Sequence, residues 1–184
     1  MRLLILGLVV FFGIHLLPSF VNARQTLILR FGENGYKGLF SVIALAGFVI
    51  IIFGMMRASF VPVYDPPAWG PVAALWLMPV SMMLLAAANM PTNVKHFTRH
   101  PMLWGVVVWA VVHLLSNGDQ ASLWLFATFA AYSLLDMALA NRRGAQLTSK
   151  TVAVKSDLLV VVAGLVAYGV FILLHPYLFG VSVI

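Results

Sequence analysis

With 62% hydrophobic residues and only 9% charged ones over 184 positions, and a mean hydropathy of +1.02, the chain is too apolar for a water-soluble domain, whose surface must stay charged. It contains no cysteine, which excludes disulfides, thiolate metal sites, thioether-linked haem and cysteine nucleophiles; any metal must rest on His, Asp, Glu or Met. The formal charge of +6 and a pI near 10.1 would suggest nucleic acid in a soluble protein, but here they reflect basic anchors at membrane ends, and no nucleic-acid partner is expected.

A hydrocarbon core about 30 Å thick needs roughly 20 apolar residues per helix, so the length allows about six spans with short connections. The expected fold is an all-α polytopic transmembrane bundle occupying residues 1–184 as a single domain, with lipid as its main contact. In chain order the apolar runs predict helices at Leu3–Phe20, Gly38–Met56, Val72–Ala88, Met102–Leu115, Ala121–Leu139 and Leu158–Leu174. The first run has the place of a signal peptide, yet it carries His15, continues into Pro18–Phe20 and lacks a small-residue cleavage site, so it reads as a span. Loops are expected at Arg24–Lys37, Val61–Pro71, Asn89–Pro101, Asn117–Gln120 and Asn141–Asp157, from their Gly, Pro and polar residues.

Loops that stay in the cytoplasm retain Lys and Arg. The first, third and fifth loops hold Arg24, Arg30, Lys37, Lys95, Arg99, Arg142, Arg143, Lys150 and Lys155, which is 9 of the 11 basic residues. Both termini are therefore expected outside.

Ionisable groups at membrane depth are costly, which makes His15, His100, His113 and Asp136 the functional candidates. For each alone, a structural hydrogen bond to a neighbouring helix is an equal alternative. Neutral imidazole is the commonest metal ligand and the usual axial ligand of a haem iron held by helices. Along one helix His113 lies roughly 20 Å from His100 and points in a different direction, so the two cannot share an iron. Counted from the cytoplasmic ends, His15 is about 9 Å deep and His113 about 18 Å, with His100 at the interface. His15 and His113 make the better axial pair; His100 could serve instead, or hold a propionate or a polar substrate group.

Arg99 opens the fourth span with His100 and Pro101, and its forked donors suit an anion; an ordinary basic helix start is the plain alternative. Lys95 and His96 read as solvated, His175 as an interfacial anchor, and Asp136 as the ion-pair partner of Arg142 or Arg99. Met78, Met82 and Met83 recur at helical spacing and read as adaptable packing. Trp69, Trp76, Trp104 and Trp124 fall near span ends as an aromatic belt, while Trp109 is deeper and suits either a flat cofactor or the core.

Three motifs carry a family resemblance: Gly13–Ile14–His15 in the first span, the run from Phe31 to Ser41 (Phe-Gly-Glu-Asn-Gly-Tyr-Lys-Gly-Leu-Phe-Ser), and Thr98-Arg99-His100-Pro101-Met102-Leu103-Trp104-Gly105 followed by His113 and Asn117–Gly118–Asp119. Together, over roughly residues 1–145, the sequence resembles the NnrU family, named for a role in bacterial nitrite and nitric oxide reduction and related to the plant 15-cis-zeta-carotene isomerase. That relative is a haem b protein with histidine ligands, so the resemblance implies haem b on His15 and His113, with Arg99, His100 and Glu33 in support, in a bacterial inner-membrane protein. It also leaves two rivals: haem-dependent isomerisation of a lipophilic polyene, and a non-enzymatic assembly factor. The Arg-His-Pro-x-x-x-Gly string is similar to one in membrane isoprenylcysteine methyltransferases, but the soluble tail of those enzymes is missing, which makes this the third choice. A lipophilic small molecule and a second copy of the chain stay open as partners.

Overall fold

The computed structural model describes residues 1–183, and among them every regular element is a helix. The six α-helices are α1 (Arg2–Leu16), α2 (Val21–Met56), α3 (Gly70–Asn89), α4 (Pro101–Leu114), α5 (Gln120–Arg142) and α6 (Val154–Phe179), with 3₁₀ turns at Leu17–Ser19 and Asn93–His96. Five apolar helical stretches, Arg2–Ser19 and helices α2, α3, α5 and α6, are long enough to cross a membrane, and the chain is a membrane protein. Helix α4, with 14 residues, is about 21 Å long, shorter than a full hydrocarbon crossing. Large apolar side chains stay exposed along these helices, Trp76, Leu29 and Val42 among them, as lipid contact requires.

The first predicted loop is a correction. Residues 24–37 are not a loop: apart from Gly32 they are helical, so the range α2 covers two helices that meet at a sharp break. The polar positions Arg24, Gln25, Arg30, Glu33 and Lys37 are good helix formers interleaved with Leu and Ile, and polarity alone does not break a helix. Only Gly32 does so, at φ 74° and ψ 167°, a region open essentially to glycine, which divides α2 into residues 21–31 and 33–56.

The chain forms two compact units, each described separately. The first comprises Met1–Asp65 and Asn117–Tyr132. Within it α1 and α2 run antiparallel in direct backbone contact, with Leu4 beside Gly54, Gly7 beside Ile51 and Phe11 beside Gly47. A Cβ added at Gly54 would lie 2.5 Å from Leu4 backbone, at Gly7 2.6 Å from Ile51 nitrogen, and at Gly47 2.7 Å from Phe11 nitrogen. Lipid tails are as apolar as leucine, so close dispersion contact, rather than expulsion of water, holds such a pair together. Leu4, Leu8, Phe12, Ile51 and Ala121 form its core, edged by Phe11, Leu125, Phe129 and Tyr132.

The Asn117–Gly118–Asp119 motif is structural. The Asp119 carboxylate caps α5 by accepting from the backbone N–H groups of Ala121 and Ser122, both at 3.0 Å. Gly118 O accepts from Val63 N at 2.8 Å, Val61 O accepts from Gln120 N at 2.8 Å, and the Tyr64 hydroxyl donates to Asn117 O at 2.7 Å. Burial, with the negative charge of Asp119, raises the Tyr64 phenol above its ordinary pKa.

The second unit comprises Pro66–Ser116 and Ser133–Ile184, in which α3 packs on α4 and α6. Buried Ser81 donates to Gly105 O of α4 at 2.8 Å; Gly164 of α6 lies against Met83; and the Tyr168 hydroxyl donates to Leu75 O at 2.9 Å. Met82 is buried and Met83 abuts α6, the packing role expected of the methionines. Asp157, at the start of α6, accepts from the Thr92 hydroxyl (2.7 Å), Asn93 N (2.8 Å) and Asn93 Nδ2 (2.6 Å), tying the 3₁₀ turn to α6.

Candidate functional site

The site residues named from the sequence divide between the units: His15 lies in the first, and Arg99, His100 and His113 in the second. His15 lies in the last turn of α1, which ends at Leu16 because Pro18 follows and closes the helix into a 3₁₀ turn. Its Nδ1 lies 2.6 Å from Phe11 O. A carbonyl oxygen only accepts, so Nδ1 carries the proton and Nε2 holds the lone pair. Phe11 (4.1 Å between ring centroids), Phe40 (5.2 Å) and Tyr132 (6.1 Å) surround the imidazole, and the Tyr132 hydroxyl donates to His15 O at 3.0 Å. Three helices of the first unit thus wall one imidazole.

His113 repeats the arrangement in the last turn of α4, with Nδ1 2.7 Å from Trp109 O and the Trp109 ring 5.1 Å from its own. The tautomer is again the one that keeps Nε2 for a ligand. Trp109 therefore packs on the histidine instead of standing apart in the core.

His100 differs. Thr98 Oγ1 accepts from His100 N at 3.1 Å, and Pro101 supplies the first helical turn, so the Arg-His-Pro string shapes the start of α4. The His100 Nε2 donates to Asn141 Oδ1 at 2.9 Å, and Arg99 Nη1 donates to the same oxygen at 3.5 Å. Here Nε2 bears the proton, so the nitrogen left open at His15 and His113 is occupied at His100. Arg99, His100, Lys95 and Asp136 line one polar cleft between α3, α4 and α5 within the second unit.

Two expected partners change. Asp136 pairs with Arg143 at 3.5 Å rather than with Arg142 or Arg99, because a residue seven positions on returns to the same helix face. Glu33, expected to support the cofactor, points to solvent and pairs with Lys37 at 2.7 Å, four residues along the helix. Lys95 and His96, expected as solvated, bond to carbonyls, Met90 O at 3.0 Å and Lys150 O at 3.3 Å. His175 bonds to Val181 O at 2.7 Å and so fastens the end of α6.

Sequence reasoning missed Tyr36 as a site residue. It is 7% exposed, and its hydroxyl is buried without a hydrogen-bond partner. Its ring lies 6.4 Å from that of Phe40, the residue against His15, and the Arg24 guanidinium sits 5.7 Å from its centroid. The signal in the sequence was the glycine-rich string Gly32–Gly38 that contains Tyr36; its burial needed the break at Gly32 to be visible.

Among the described residues no group of three or more His, Asp or Glu converges to hold a bare metal ion. A haem asks less of the protein, since the porphyrin supplies four ligands and two imidazoles complete the iron. Within their own units, His15 and His113 each keep Nε2 open beside an aromatic ring, the chemistry that an axial imidazole needs. No curated protein and no solved structure matches the chain significantly. The family model described as NnrU protein matches residues 3–183, from the first turn of α1 past α6, a helix that no motif had marked; the chain belongs to the NnrU family.

Proposed function

We propose that this protein binds one haem b in a bacterial inner membrane, with His15 and His113 as axial ligands, and serves nitrite and nitric oxide metabolism. The observation that carries the reading is the shared tautomer. Each histidine gives its Nδ1 proton to the carbonyl four residues earlier, which fixes the ring and keeps Nε2 as the basic nitrogen, the usual preparation of a metal-binding histidine. His100 lacks that preparation, which favours His113 as the second ligand.

The haem would supply redox or Lewis-acid chemistry. The chain's own share is to orient two imidazoles, exclude water with Phe11, Phe40 and Trp109, and offer Arg99 and His100 as polar support at the cytoplasmic side. The basic residues clustered within 24–37, 95–99 and 142–155 support a topology with those segments in the cytoplasm and both termini outside.

The test is the absorption spectrum of the purified protein. A Soret band that shifts on dithionite reduction is expected, lost in His15→Ala and His113→Ala and kept in His100→Ala. A colourless protein after expression with ample haem overturns the reading; loss in His100→Ala with retention in His113→Ala reassigns the ligand.

A further inference from the structure

Tyr36 presents a difficulty that the axial ligands do not resolve. Its buried hydroxyl has no hydrogen-bond partner within the protein, although a buried phenol normally finds one. The residue is not held there by its helix alone: the segment containing it follows the Gly32 break, which folds residues 21–31 back so that Arg24 lies over the ring. Arg24 is itself half-buried; it lies within electrostatic reach of Glu33, but the short ion pair of that acid is with Lys37. A donor hydroxyl and a guanidinium with no short ion pair among the described residues therefore stand together, one phenylalanine ring away from His15.

Two donors with no acceptor define what is missing. An apolar ligand would leave the phenol unsatisfied and the guanidinium without a close partner, and a cation would be repelled. A carboxylate satisfies both, accepting from the hydroxyl and pairing with the guanidinium in a charge-assisted contact. We propose that Tyr36 and Arg24 are the receptor for a carboxylate of the ligand seated against His15, which on the haem reading is a propionate. The inference rests on that reading for the identity of the ligand, but its residues lie wholly within the first unit and are distinct from the axial histidines and from Arg99 and His100.

The experiment compares haem b with its dimethyl ester, in which both carboxylates are neutral and cannot pair, titrated into the full chain in lipid nanodiscs and read at the Soret band. The wild-type protein is expected to bind the free acid about 10- to 100-fold more tightly than the ester, the range for hydrogen bonds to a charged group. In Tyr36→Phe and in Arg24→Gln affinity for haem should fall by about tenfold or more, with affinity for the ester unchanged, so that the preference shrinks by the same factor. Should Tyr36→Phe lose its monodisperse fold, Arg24→Gln, at a half-buried position, carries the test alone. A full wild-type preference in the variants overturns the carboxylate receptor and leaves the haem reading standing. Absence of a Soret band with either compound in the wild-type protein overturns both.

Discussion

Replacing Gly54 by alanine tests whether α1 and α2 are held by backbone contact. The new Cβ would meet Leu4 nitrogen and Cα at 2.5 Å, where carbon contacts settle at about 3.5 Å, so the helices must part by roughly 1 Å at that level. A gap of that size forfeits a quarter to a half of each local dispersion contact, and overpacking of this kind costs about 1–3 kcal/mol. Alanine recovers about 1 kcal/mol in helix propensity, which leaves a net loss of about 0–2 kcal/mol. Gly13→Ala is the control, since nothing lies within 4 Å of its Cβ position and the propensity gain stands alone. The assay is unfolding by SDS titration in mixed micelles, followed by far-ultraviolet circular dichroism. The two variants should differ by the overpacking cost, about 1–3 kcal/mol, with Gly54→Ala the weaker. Equal stabilities refute close glycine packing as the basis of the first unit.

Gly32→Ala forces a side chain into a glycine-only region and should cost about 1–3 kcal/mol, while Gly38→Ala, with open space around it, should be neutral or better in the same titration. The Tyr64 phenol titrates above its ordinary value because folding favours its neutral form; the stability this gives is complete below about pH 10 and is lost as pH rises through the raised value. Alkaline titration should thus loosen the Val61–Tyr64 segment, seen as faster proteolysis there, and Tyr64→Phe should remove the step; an identical pH profile in that variant argues against the Asn117 tether. A reporter active only in the cytoplasm should be silent when fused after the last residue and active when inserted near Lys150; activity at the C-terminus inverts the topology.

Much of this was legible in composition and pattern. Apolar runs of about 20 residues can satisfy their backbone in lipid only as helices, so the number and type of elements follow from hydropathy. His15, His100 and His113 stood out because imidazole is costly at depth, and Arg-His-Pro marked a helix start because proline suits the first turn. The extent of α2 was not legible, because Arg24, Gln25 and Glu33 are polar yet helix-forming, and polarity signals leaving the bilayer rather than leaving the helix. Nor could periodicity tell which nitrogen of each histidine is occupied. That depends on whether a carbonyl one turn back or the Asn141 amide, 41 positions along, comes within hydrogen-bond reach.

The sequence by itself determined that the chain is a helical membrane protein with a handful of expensive polar groups, since transfer into hydrocarbon is a property each residue carries alone. Only the tertiary structure decided which of those groups are spent on holding the fold, as Asp119 and Asp157 are, and which, like Tyr36, are buried with a hydrogen bond still to make. Satisfaction of a polar atom is a relation between residues distant in the chain, and it exists only once the helices have packed.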